Sequence, residues 1–159
     1  MTTMRIVEAD KSDLKAILDL QYLSYQSEAI FLNDFTIQPL LQTYDEIEQE
    51  YAKCRFLKAE DENKEIIGSV RAYSDNGTTF VCKLFVHPKW QGQRIGEKLL
   101  LAIERECPAA RYELFTSNKN MRSIRIYERI GYVKFKEQKA TDVLTFAFFE
   151  KQARETSCR

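Results

Sequence analysis

The sequence predicts a mixed α/β domain in which helices pack on one sheet, and three observations carry that prediction. Apolar residues near the N-terminus recur at helical spacing. The middle of the chain switches to strand-like runs around an Asn-Gly turn. Downstream, helical and strand patterns alternate again.

Arg5–Ala9 reads as a first strand, and Asp10 with Asp13 three residues on sits close to a capping box for the helix that follows. Leu14, Ile17, Leu18, Tyr22 and Tyr25 then share one helical face. Gln26–Phe35 reads as irregular, and a second helix carries Ile37, Leu40, Leu41, Tyr44, Ile47 and Tyr51. Arg55–Glu60, Ile66–Tyr73 and Thr79–Val86 read as strands. The last two are joined at Asp75-Asn76-Gly77, where Asn-Gly tolerates positive φ. A helix follows from about Gly96 to Glu106, then a strand at Tyr112–Thr116 and a helix at Asn120–Ile130. Gly131 suits the position just past that helix, and Tyr132–Lys136 and Val143–Phe149 close the sheet.

At 159 residues, and 44% hydrophobic with 30% charged, the chain suits one domain with one core. Residues 1–151 form that domain, and 152–159 read as a polar, mobile tail with an exposed thiol at Cys158. Lys+Arg and Asp+Glu both number 24, so no basic face for nucleic acid is expected. No apolar run approaches the roughly 18 residues of a membrane span, and the N-terminus lacks the apolar core of a signal peptide. Cys54, Cys82, Cys107 and Cys158 form no Cys-x-x-Cys pair and show no metal-ligand spacing, which suggests reduced thiols, a cytoplasmic protein and no metal. His87 is the single histidine, with nothing nearby to make it a zinc ligand or a triad member.

Two of the five glycines, Gly92 and Gly96, bracket a strand-to-helix turn. The first amides of a helix lack intrahelical acceptors and lie at its positive end, so Gln91, Gly92, Gln93, Arg94, Ile95, Gly96 and Glu97 can cradle a pyrophosphate. A P-loop and a Gly-x-Gly-x-x-Gly fingerprint are both absent. A plain turn with a convenient glycine is the competing reading of these residues alone.

The run from Leu84 to Leu100 resembles the core motif of the GNAT superfamily of N-acetyltransferases. In that motif Gln/Arg-x-x-Gly-x-Gly/Ala follows a strand ending in Val-x-Pro. Gln91, Gly96 and Val86-His87-Pro88 match, whereas Arg94 replaces the middle glycine and can itself reach a phosphate. Asn120 to Tyr132 is similar to the second signature of the superfamily, Asn-x6-Tyr-x3-Gly-Phe/Tyr, with every anchor present. The resemblance covers nearly the whole chain. It implies a GNAT fold, with a mostly antiparallel six- to seven-stranded sheet, about four helices and splayed central strands.

The same resemblance implies acetyl-CoA as co-substrate and transfer to a primary amine by direct attack in a ternary complex. It places Leu84, Phe85 and Val86 along the pantetheine arm, with a backbone amide near Leu84 facing the developing oxyanion. It makes Tyr127 the proton donor to the leaving thiolate and Asn120 a second hold on the arm; capping its helix is the alternative task for Asn120, and the two are compatible. Glu28 and Asp34 are candidate bases, His87 a weaker one, and Cys82 is read as a buried small residue rather than a nucleophile. Tyr22, Tyr25, Phe31 and Phe35 with those two acids would form an aromatic–acidic rim suited to a cationic amine. Small amines and peptide termini are the expected acceptors. A homodimer is an open possibility, with Phe146, Phe148 and Phe149 at an interface or in the core. The rival reading is a non-catalytic acetyl-CoA-binding or sensing module.

Overall fold

The computed structural model describes residues 3–153. Seven strands form one sheet in the order β1-β2-β3-β4-β5-β7-β6, and only the β4–β5 pair is parallel. The strands are β1 (Met4–Glu8), β2 (Arg55–Asp61), β3 (Ile66–Asp75), β4 (Thr78–Val86), β5 (Arg111–Ser117), β6 (Val133–Lys139) and β7 (Thr145–Gln152). The helices are α1 (Leu14–Leu32), α2 (Gln38–Leu41), α3 (Tyr44–Lys53), α4 (Ile95–Glu106) and α5 (Met121–Ile130). Gln152 thus ends the last strand rather than opening a tail, and Cys158 lies outside the described residues. No helix among the described residues is long and apolar enough to cross a membrane.

The hairpin between β3 and β4 turns on Asn76 at φ 50° and Gly77 at φ 82°, the pair of positive angles that the Asn-Gly step tolerates best. Two other elements depart from expectation. Gln26–Phe35 is not irregular: α1 continues to Leu32 and stops at Asn33, which turns left-handed at φ 53°. Ala29 and Leu32 are buried against Ile37 and Leu144, so tertiary packing holds a stretch of weak local signal in the helix. The single second helix expected over Ile37–Tyr51 is two. Gln42 is extended at ψ 130°, and Thr43 starts α3 by accepting from Glu46 N–H while Glu46 accepts from Thr43 N–H.

The core has two layers. Leu99, Leu100 and Ile103 of α4, with Ile124 and Tyr127 of α5, pack on Val70, Val81, Leu114 and Phe149 from one face. Leu14, Ile17 and Leu18 of α1 and Ile47 of α3 cover Phe56 and Phe85 on the other. Phe149 is core, whereas Phe146 and Phe148 lie with Phe115 in an aromatic cluster that Phe135 joins through Phe148.

Two features of β4 prepare the site. Its parallel pairing with β5 stops at Phe80↔Glu113, and the strands diverge beyond that point. Its pairing with β3 steps from Ala72↔Val81 to Arg71↔Lys83, which leaves Cys82 as the extra residue of a β-bulge.

Candidate active site

A cleft of about 460 Å³ opens where β4 and β5 diverge. It runs from Gln91, Gly92, Arg94, Ile95 and Gly96 past Leu84, Phe85 and Val86 to Tyr127, Ser24, Tyr25 and Glu28.

The backbone of β4 is directed into this gap. His87 N–H donates to Ile67 C=O on the β3 side at 2.8 Å. Val86 C=O instead accepts from Gln91 Nε2 at 3.3 Å and Ser24 Oγ at 3.5 Å, both cleft residues. Strand alternation then turns the N–H and C=O of Leu84 the same way as those of Val86, toward the gap.

At the mouth, Lys98 is the first residue of α4 whose N–H meets a backbone carbonyl, Arg94 C=O at 3.1 Å. The amides of Ile95, Gly96 and Glu97 before it have no intrahelical acceptor. Gly92 sits at φ 85° and Arg94 at φ 63°, ψ 20°. Arg94 therefore holds the left-handed conformation for which the matched motif carries glycine, at a cost of roughly 1–2 kcal/mol from its Cβ. Arg94→Gly should raise stability by about 1 kcal/mol and Tm by about 2–4 °C, read by calorimetric melting. An unchanged or lower Tm would show that the ion pair of Arg94 with Glu97 outweighs the strain.

Arg94 does not stand alone. Arg122, Arg125 and Arg129 of α5 also line the cleft, and Arg122 donates to Gln91 Oε1. Arg129 pairs with Glu97 at 2.6 Å, while Gln93 is exposed and lines nothing. The three α5 arginines fall at i, i+3 and i+7, so their shared face is readable from spacing, although the motif anchors alone do not point to them.

Deeper in, Asn120 lines the cleft and starts α5, its Oδ1 accepting from Ser123 N–H at 3.2 Å. Tyr127 is buried at the cleft wall, edge-on to Phe149 at 5.6 Å. Burial pushes its phenol up to about 12, against a hydrogen bond with Ser123 that lowers it. Burial likewise pushes the Glu28 carboxyl above the usual carboxylate range.

The other candidates lie elsewhere. Asp34 is spent on Thr36, which donates from its N–H at 2.8 Å, and these bonds lower its pKa. His87 accepts from Lys89 N–H at 3.0 Å and caps a short turn. Tyr22 donates to Gln42 C=O. Phe31 and Phe35 are 68% and 51% exposed and do not reach the cleft. Of the expected aromatic–acidic rim, only Tyr25 and Glu28 line the cavity.

Cys82 lines the cleft with its thiol beside Cys54 and Glu50, the three donor atoms lying within 4.8 Å of one another. Glu50 is already held by Arg71 and Gln42, both at 2.8 Å. The hydrogen bond to Cys54 and burial raise the Cys82 pKa, which keeps it a neutral thiol and a poor nucleophile.

The family model described as "Acetyltransferase (GNAT) family" matches residues 15–132, the span that holds both the Gln91–Gly96 turn and Tyr127. The chain belongs to the GNAT family. The structure of PaiA N-acetyltransferase from Thermoplasma acidophilum in complex with coenzyme A is similar at TM-score 0.76 and 15% identity, covering 95% of this chain and 99% of that one. The yncA protein of Salmonella typhimurium, solved with its cofactor acetyl-CoA, gives 0.74 and 24%, covering 98% and 96%. Spermidine N-acetyltransferase from Vibrio cholerae, in complex with CoA and spermine, gives 0.71 and 15%, covering 94% and 95%. No curated protein sequence matches the chain. The seven-stranded sheet and the β4–β5 divergence are thus those of a GNAT acetyltransferase, with five helices where about four were expected.

Proposed function

We propose that this GNAT protein is an acetyl-CoA-dependent N-acetyltransferase that moves the acetyl group directly to a primary amine. The observation that carries this reading is one continuous cleft joining free helix-start amides and arginines to a buried tyrosine and a desolvated carboxylate. Unpartnered amides at Ile95–Glu97 and the cations of Arg94, Arg122, Arg125 and Arg129 suit a pyrophosphate and a further phosphate. The gap-facing backbone of Leu84 and Val86 suits an extended amide-bearing arm, which would add to β4 as a strand does. The co-substrate supplies an activated thioester carbonyl.

The chain's own groups then have the following tasks. Glu28 takes a proton from the acceptor ammonium, whose neutral form otherwise costs roughly 4–5 kcal/mol at pH 7. As the C–N bond forms, the Leu84 N–H faces the oxyanion. As the C–S bond breaks and the carbonyl re-forms, Tyr127 gives its phenolic proton to the sulfur and the acceptor nitrogen sheds its second proton to solvent as the amide forms; before the next turnover Tyr127 regains a proton from solvent and Glu28 releases its own there.

Mixing the protein with acetyl-CoA and a panel of amines, while following free thiol, tests the reading. If acetyl-CoA raises the melting temperature but no amine raises thiol release, the non-catalytic module is the better description. Glu28 also sets a pH dependence. Its proton is held to a higher pH than in an ordinary carboxylate, so kcat/KM should fall as pH drops through that raised value. Glu28→Gln should remove this acidic limb and lower kcat/KM by about 100-fold. A variant with the same limb would take Glu28 out of the proton transfer.

A further inference from the structure

The cations of the cleft fall into two groups. Arg94, Arg122, Arg125 and Arg129 surround the phosphate-binding end. Lys83 lines the cleft by itself from β4, next to the Cys82 bulge and two residues short of Phe85, which packs on Tyr25. Val81 to Val86 of β4 all line the cleft, and the bulge at Cys82 lies directly beside Lys83.

Lys83 has no ion-pair partner of its own, although Glu50 acts on it from a distance. It stands opposite Arg71 in the β3–β4 register, and Arg71 takes the nearby carboxylate, Glu50, at 2.8 Å. The same Glu50 oxygen also accepts from Gln42 Nε2. Among the described residues, Lys83 forms no ion pair. Burial lowers its pKa and Arg71 lowers it further, and Glu50 offsets this only in part, so the net direction is down. An anion in the cleft would offset both effects. The carboxylate on the facing helix, Glu28, belongs to a different group of neighbours, acting on Tyr25 and Tyr127. The acceptor half of the cleft therefore offers one negative charge from α1 and one positive charge from β4.

We infer that the acceptor is a primary amine that also carries an oxyanion, of which an α-amino acid is the simplest, and that the Lys83 ammonium holds that oxyanion. This rests on the acetyltransferase reading of the cleft and names its substrate class. The amine lies toward Glu28 and Tyr127, and the anion toward Lys83. A polyamine would bring a second cation against Lys83 and Arg71, where like charges repel.

The test uses the full-length protein with acetyl-CoA and matched acceptors: the common α-amino acids, their carboxamides, taurine, 2-aminoethylphosphonate and spermidine. Thiol release gives kcat/KM. Calorimetric titration of each acceptor into the protein saturated with CoA gives affinity without turnover. An acceptor with a free oxyanion should exceed its uncharged counterpart by about tenfold or more in both readouts. Lys83→Gln should abolish that ratio mainly through KM, leaving the Kd for acetyl-CoA and the Tm near wild type, and Lys83→Arg should restore part of it. Comparison of carboxylate, sulfonate and phosphonate members identifies the anion. Equal use of carboxamides or spermidine, or a ratio unmoved in Lys83→Gln, overturns the inference while the transferase stands. An oxyanion preference in binding with no thiol release from any amine overturns the transferase and leaves the Lys83 site.

Discussion

Tyr127→Phe lowers kcat by about 100-fold and leaves the Kd for acetyl-CoA within about twofold. The substitution removes one oxygen. The ring that packs edge-on to Phe149 and beside Tyr132 stays in place, so folding and the cleft wall are preserved. What is lost is a proton at the point where sulfur becomes an anion. With its phenol pushed up to about 12, Tyr127 is protonated across the ordinary working range, so it is always ready to donate. The basic limb of the wild-type pH profile below about pH 10 accordingly does not come from Tyr127. Steady-state kinetics and calorimetric titration decide the matter: an unaltered kcat removes Tyr127 from the chemistry, and a weakened Kd makes it a binding residue.

Arg71→Met destabilises the fold by about 3 kcal/mol and lowers Tm by roughly 6–12 °C. Arg71 is fully buried in β3, with its guanidinium 4.7 Å above the Phe56 ring. It donates to Glu50 of α3 and to Gln21 of α1, and Gln21 in turn donates to Gln42 Oε1 at 3.0 Å and Pro39 C=O at 2.8 Å. One side chain thus fastens three helical segments to the sheet, opposite Lys83 in the β3–β4 register. Methionine fills the volume but leaves Glu50 and Gln21 without their donor in a poorly hydrated place. The double variant Arg71→Met/Glu50→Gln should recover part of the loss, because the uncompensated charge goes with it. Urea unfolding of the single and double variants measures both. A loss below about 1 kcal/mol would mean that water reaches Glu50 and screens it as at a surface pair.

Much of this was legible in the chain. Gln91 to Gly96 and Asn120 to Gly131 carry local requirements: positive φ at Gly92 and Gly131, a capping asparagine, free amides at a helix start. Such requirements depend on residue type and short spacing, so they survive translation into a string of letters. The same holds for the Asn76-Gly77 hairpin. The region from Gln26 to Tyr51 read less well. Its helices are held by Ala29, Leu32 and Ile47 against distant partners, and the break at Gln42 follows from a cap at Thr43. The acceptor rim failed for a related reason. Tyr22 and Phe31 are near Glu28 in the chain, yet a helix spreads its residues around an axis and only one face meets the cleft, and Asp34 and Phe35 lie past the left-handed turn at Asn33 that ends the helix.

The sequence by itself determined the family resemblance, the Gln91–Gly96 turn at a helix start and the tyrosine we propose as proton donor, because these reside in short segments with their own conformational demands. Only the tertiary structure decided what lines the rest of the cleft. Lys83 lies in it beside a β-bulge, and it forms no ion pair while Arg71, twelve residues earlier in the chain, holds Glu50. Register and charge pairing across elements are properties of chain segments brought together, and no local pattern in the sequence records them.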